Sequence, residues 1–218
     1  MVRTRVWDLP TRLFHWSLAA CICGLVATAQ IGGEAMQWHF RCGYAVLTLL
    51  MFRLVWGFVG GYWSRFSVFL PTPGTALAYA RTPFPERPGS VGHNPLGAWS
   101  VLAMLLSTGL QVGAGLFSDD EIAASGPLAR YASNQWVEWA THYHTGAGKL
   151  ALFGLIALHL AAIAWYRFRH NIDLVSPMLD GDKLLAPDAR ATKDTGGARL
   201  FAAVVFAACA GAVAFFLA

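Results

Sequence analysis

Residues 139–166 read WATHYHTGAGKLALFGLIALHLAAIAWY, a run long enough to cross a bilayer that carries a histidine near each end. His144 and His159 are 15 residues apart, which at the α-helical rise puts them ~22 Å apart along the axis and within roughly 60° of one another around it. One helix therefore offers an imidazole near each face of a membrane. Two further histidines, His15 and His39, open apolar runs that enter from opposite sides.

Composition sets the class. Hydrophobic residues make up 56% of the 218 and charged residues only 13%, with nine Trp, so the chain is an integral membrane protein. The net charge of +4 does not point to nucleic acid, because the basic residues lie between apolar runs, where topology signals sit. Cys21, Cys23, Cys42 and Cys209 form neither a C-x-x-C pair nor a C-x-x-C-H attachment motif, so no thiolate metal site and no covalent haem is expected. The N-terminal segment MVRTRVWDLPTRLFHW leads into the first span and lacks the small-x-small cleavage pattern of a signal peptide.

Upstream of the two-histidine run, residues 13–31 form the first span, started by Thr11 as N-cap or by Pro10 in the first turn, and ended by Gly32 and Gly33. The second runs from about Met36 to Val59, with Arg53 placed to snorkel to the interface. Residues 62–94 are proline-rich and do not span; they hold one short interfacial helix around 75–79. Residues 95–117 form the third span, closed by Asp119, Asp120 and Glu121, and residues 122–138 an outer loop with an amphipathic surface helix. Downstream of Arg167 the tail is polar and mostly irregular, and residues 200–218 form a fifth span without chemistry. The expected domains are a membrane domain at 1–183, a linker at 184–198 and a terminal helix at 199–218.

Thirteen Lys and Arg (Arg3, Arg5, Arg12, Arg53, Arg65, Arg81, Arg87, Arg167, Arg169, Lys183, Arg190, Lys193, Arg199) fall on one side and three (Arg41, Arg130, Lys149) on the other, which places the N-terminus in the cytoplasm. His15 and His159 then share the inner level, and His39 and His144 the outer one. A lone interfacial histidine is ordinarily a polar residue bonded to backbone or headgroup, but ionisable residues inside spans are rare and functional, and four in two opposed pairs suit two bis-histidine haems. His142 points about 200° away from His144 and nearer water, a weaker ligand. His93 reads as an interfacial residue contacting a haem propionate or a headgroup, and His170 as solvated. Arg12, Arg41, Arg53 and Lys149 either pair with propionates or anchor the topology. Gly43, Gly146 and Gly148 either admit a flat macrocycle or serve close helix packing.

The stretches VWDLPTRLFHW, WHFRCGYAVLTLLMFRLVWGFVG, GHNPLG, HTGAGKLALFGLIALH and RHNIDLVSPMLDG together resemble the bacterial cytochrome b561 and nickel-hydrogenase b-type cytochrome family, over roughly residues 5–183. The resemblance implies an all-α, four-helix transmembrane bundle holding two non-covalent b haems, here with a fifth C-terminal helix outside the similarity. It maps the haem ligands onto His15, His39, His159 and His144. Family members space the fourth-helix pair one residue closer, so a helical irregularity near Gly146 or Gly148 is expected. The function implied is electron transfer in the bacterial inner membrane between quinone and a periplasmic cytochrome c or redox enzyme subunit; the alternative is a self-contained superoxide:quinone oxidoreductase. A histidine-based Zn or Fe transporter is a third class, disfavoured by the lack of paired intramembrane carboxylates.

Overall fold

The computed structural model describes residues 1–84, 90–121 and 124–217. Arg87, counted above among the inner charges, Ile122, at the start of the outer loop, and Ala218, at the end of the fifth run, lie outside those residues.

A short strand β1 (Val2–Arg5) leads into α1 (Leu9–Ile31) and, after one 3-10 turn, α2 (Met36–Val59). Two short helices, α3 (Phe66–Phe69) and α4 (Pro73–Arg81), precede α5 (Pro95–Phe117). Then come α6 (Asn134–His142), a π-helical turn at Tyr143–Ala147 and α7 (Gly148–His170), followed by α8 (Ser176–Asp180), β2 (Asp182–Leu185) and α9 (Gly196–Leu217). Among the described residues five helical segments are long and apolar enough to cross a membrane: Leu9–Ile31, Gly33–Val59, Pro95–Phe117, Asn134–His170 and Gly196–Leu217. Helices satisfy their own backbone polar groups, which is what lipid demands of a spanning segment.

The boundaries expected for α2 and α5 match, and α4 occupies the place of the interfacial helix, with Thr72 accepting from the Thr75 N–H at 3.2 Å as its cap. Three expectations are corrected. First, α1 starts at Leu9, and its cap is Asp8, whose Oδ1 accepts from the Thr11 N–H at 2.8 Å, so Thr11 is not the cap; Pro10 does sit in the first turn, as the other expectation had it, where its missing N–H costs nothing. Second, among the described residues no separate surface helix precedes the fourth span. Ser133 caps α6 by accepting from the Trp136 N–H at 3.3 Å, and with no Gly or Pro before Gly146 the helix runs on for 37 residues. Third, the polar tail is ordered in part: β2 pairs antiparallel with β1, with Val2 opposite Leu185 and Arg5 opposite Asp182.

The chain forms two compact units. The first comprises Met1–Phe14, Arg53–Ala103 and Leu158–Val204. At its centre the Asp8 carboxylate, 1% exposed, accepts from Thr11 N–H, Trp56 Nε1 at 3.3 Å, Gly61 N–H at 3.1 Å and Ser64 Oγ at 3.2 Å. A Cβ on Gly61 would lie 2.1 Å from Asp8 Oδ2, so glycine is required where the backbone comes up to the carboxylate. The tail closes the same unit: Thr192 N–H donates to Arg5 O at 2.7 Å, and Asp194 pairs with Arg199 at 2.9 Å and Arg5 at 3.4 Å. Burial pushes the Asp194 carboxyl up, but the Arg199 and Leu9 N–H bonds and the Arg5 charge outweigh it and hold it below the usual range.

The second unit comprises His15–Phe52, Met104–Ala157 and Val205–Ala218. Its core is Val46, Leu50 and Val112, packed by Leu18, Cys21, Leu25, Leu47 and Leu105 from α1, α2 and α5. Here α9 packs on α2, with Phe206 6.0 Å from Phe52 between ring centres.

Candidate functional site

In the second unit α1, α2, α5 and the π turn converge on two imidazoles. His39 and His144 stand with ring centres 6.1 Å apart and planes 87° to one another. The Nδ1 of His39 lies 3.0 Å from the Leu25 carbonyl oxygen and 3.3 Å from Thr28 Oγ1. The Thr28 hydroxyl already donates to Gly24 O at 2.7 Å, so Nδ1 carries the proton and donates to Leu25 O. On the facing side His144 Nδ1 lies 2.8 Å from the Gln111 carbonyl oxygen, a partner that can only accept. Both rings thus spend Nδ1–H on a backbone carbonyl, which leaves Nε2 with its lone pair, the tautomer a metal-bound histidine takes.

The π turn explains the spacing. A π turn takes up one residue more than an α turn before the next hydrogen bond, and here Gly148 N–H returns to Tyr143 O. Its place at Tyr143–Ala147 is where the one-residue departure in histidine spacing called for an irregularity. Small residues surround it. A Cβ on Gly115 would sit 2.8 Å from His144 Cε1, so α5 can approach the ring only as glycine. Gly148 is a packing glycine, since a Cβ there would lie 2.4 Å from both Gln111 Oε1 and Tyr143 Cε1, whereas at Gly43 and Gly146 a Cβ would meet no protein atom within 4 Å.

The donor set fits haem. Two imidazoles sharing one iron at about 2 Å each would hold their ring centres about 6 Å apart, close to the 6.1 Å observed. His39 and His144 would be the residues that hold the haem iron, each through its free Nε2.

Of the remaining sequence candidates, His15 and His159 lie half-buried on α1 and α7, His15 with its ring edge-on to Trp16. His93 sits with its ring centre 4.8 Å from Trp7 and 4.9 Å from Phe69. Arg12 donates through Nη1 to Leu179 O, Arg41 lies exposed over the Trp38 ring at 4.7 Å, and Lys149 and His142 are exposed. Two readings are corrected here. Arg53 does not snorkel: it is 4% exposed, its guanidinium lies 4.8 Å from Phe66 and 5.7 Å from Phe69, and its Nη1 has no acceptor among the described residues. The reason is that α3 folds over it and the Asp8 carboxylate supplies a counter-charge. His170 is not solvated but stacked on Phe84, 3.7 Å between ring centres.

Reasoning from sequence passed over Asp8 and Gln111. Asp8 had a signal, D-L-P-T ahead of an apolar run, which is a helix-start pattern. Gln111 had a weaker one, as the amide side chain in an otherwise apolar and hydroxyl-bearing span.

A family model for prokaryotic cytochrome b561 matches residues 6–181. The chain belongs to this family. Among curated relatives, the probable Ni/Fe-hydrogenase B-type cytochrome subunit of Bradyrhizobium diazoefficiens is 25% identical, over 82% of this chain and 85% of its own length. That of Azotobacter chroococcum mcd 1 is 28% identical over 84% and 89%, and that of Azotobacter vinelandii 27% over the same shares. No solved structure matches significantly. As a cytochrome b561 family member with five apolar helices, the chain is a multi-pass membrane cytochrome that carries haem b and transfers electrons.

Proposed function

We propose that this cytochrome b561 family member holds two b haems and passes electrons through the bacterial inner membrane, between quinone and a redox enzyme docked on the periplasmic side. The observation that carries the reading is the His39–His144 pair, with both Nδ1 atoms committed to backbone carbonyls and the ring centres 6.1 Å apart. When bound between two imidazoles, haem b supplies a one-electron iron couple with no open coordination position, which favours outer-sphere transfer over binding of oxygen. The residues supply the rest. His39 and His144 would hold the outer group, each ring oriented by its Nδ1–H bond to Leu25 O or Gln111 O. His15 and His159 are assigned to the inner group from their helical spacing and the family's ligand pattern. Arg53, a buried cation with an orphaned Nη1, suits a propionate, since a charge-assisted bond would satisfy it.

The hydrogenase-type partner is supported by the names of the relatives, which are cytochrome subunits of Ni/Fe hydrogenases. The acidic residues after the third span are used locally: Asp119 Oδ1 accepts from Glu121 N–H at 2.7 Å and Asp120 Oδ1 from Ala124 N–H at 2.8 Å. The cytoplasmic N-terminus rests on the Lys and Arg asymmetry. Haem quantitation by pyridine haemochrome against protein tests the core of the proposal. Two haems per chain are expected, and a fully loaded preparation with one would overturn it.

A further inference from the structure

His144 and Gln111 are joined twice, in opposite senses. The ring Nδ1–H of His144 donates to the main-chain carbonyl of Gln111 at 2.8 Å, and the side-chain amide Nε2 of Gln111 donates to the main-chain carbonyl of His144 at 2.7 Å. The second bond falls inside the π turn, where carbonyls are out of α register and an added donor has most effect. The surroundings admit the amide: Gly148 leaves room for Gln111 Oε1, which any Cβ there would meet at 2.4 Å. One turn further along α5, Gly115 leaves room for the ring. A glutamine in a span costs desolvation, and its Oε1 is buried without a partner among the described residues. Membrane segments keep such groups where they act.

We infer that Gln111 is the positioning residue of the outer haem site, fixing the π turn through its amide and thereby the orientation and basicity of the His144 imidazole. The inference rests on His144 being a haem ligand. Its physical content is a tuning effect. A firmly held Nδ1–H makes the imidazole a stronger donor, which favours the ferric iron, so loosening the clamp raises the potential of the outer haem. It also frees the ring to rotate, and the low-spin ferric EPR spectrum depends on the angle between the two imidazole planes, here 87°.

The test is a redox and EPR titration of the purified holoprotein carrying Gln111→Met, which keeps the volume and removes the donor. The expected result is an outer haem still bound, with its midpoint potential raised and its EPR anisotropy changed, while the inner haem keeps both values. Amide exchange across 143–149 in haem-free protein should also speed up. Selective loss of the outer haem would carry the same conclusion more strongly. Should Gln111→Met fail to accumulate, Gln111→Asn, too short to reach the His144 carbonyl, is read the same way. Potentials and EPR spectra coincident with the parent protein would overturn the inference alone, because the parent would still show a haem that His144→Ala removes. If His144→Ala removes no haem, the ligand assignment and this inference fall together.

Discussion

Asp8, buried, and the His39–His144 pair, half-buried, are polar groups held by hydrogen bonds, but their surroundings equip them differently. Asp8 receives hydrogen bonds from Thr11, Trp56, Gly61 and Ser64, which occupy both carboxylate oxygens. Each histidine is instead fixed at one ring nitrogen by a carbonyl, with the other nitrogen left as a lone pair. A saturated buried group has nothing to offer a ligand and serves as an anchor; a half-saturated one is held still and remains able to bind. In this way the first unit ties the start of α1 to the end of α2 and the tail, while the second presents the His39 and His144 imidazoles.

The sharpest way to break this comparison is to remove a ligand. His39→Ala or His144→Ala should abolish one of the two proposed haems, measured by pyridine haemochrome and by loss of one component in a redox titration, while His142→Ala should keep both. Retention of two haems in His144→Ala with loss in His142→Ala would move the site to an exposed residue and undo the contrast.

Asp8→Ala should act on stability instead. It strands four donors and leaves the buried Arg53 cation without its counter-charge, a loss of about 3–5 kcal/mol, read as a lowered Tm in detergent with haem content intact at low temperature. Asp8→Asn, which keeps an acceptor for the α1 cap, should lose less. Haem loss in Asp8→Ala without a fall in Tm would show that the anchor and the binding site are one system.

Gly115→Ala probes the binding side more gently. The new Cβ would press on the His144 ring at 2.8 Å, so haem affinity at that site should drop, roughly 10-fold as for other groups that orient a metal ligand. Competition with an apo-haem acceptor would measure it, and an unchanged affinity would mean the ring has room to shift without consequence.

The smallest effect concerns Asp173, beyond the end of α7. Hydrogen bonds from the Ser176 hydroxyl and N–H, and from Val175 N–H, hold its carboxyl below the usual range. A carboxylate with a depressed folded value stabilises its loop fully above the ordinary value of about 3.9, and that contribution fades as pH falls through the lower folded value. Cleavage of residues 171–180 by pepsin should therefore rise across that window, and Ser176→Ala should raise the pH at which it begins. The same onset in both proteins would discount the turn.

Much of this was legible in the chain itself. The apolar runs announced five spans, because lipid leaves a helix little alternative, and Pro95, Gly32 and Gly33 marked ends by local backbone preference. His39 and His144 were legible as candidates because an ionisable group in a span carries a cost that composition makes visible. Even the irregularity at the π turn was expected, from the departure in histidine spacing that the resemblance to the family implied. Packing was not legible. That Arg53 lies under Phe66 and Phe69 instead of reaching for water depends on α3 folding back over it, and that Asp8 is a hub depends on Gly61 and Ser64 arriving from beyond α2. The choice of ring nitrogen at His39 and His144 was likewise decided by carbonyls on other helices, Leu25 and Gln111, whose approach no local pattern encodes. Sequence fixes which segments enter the membrane and which residues carry chemistry, since both follow from transfer energies of single groups; the tertiary structure alone decides which of those residues are saturated and which keep a lone pair free.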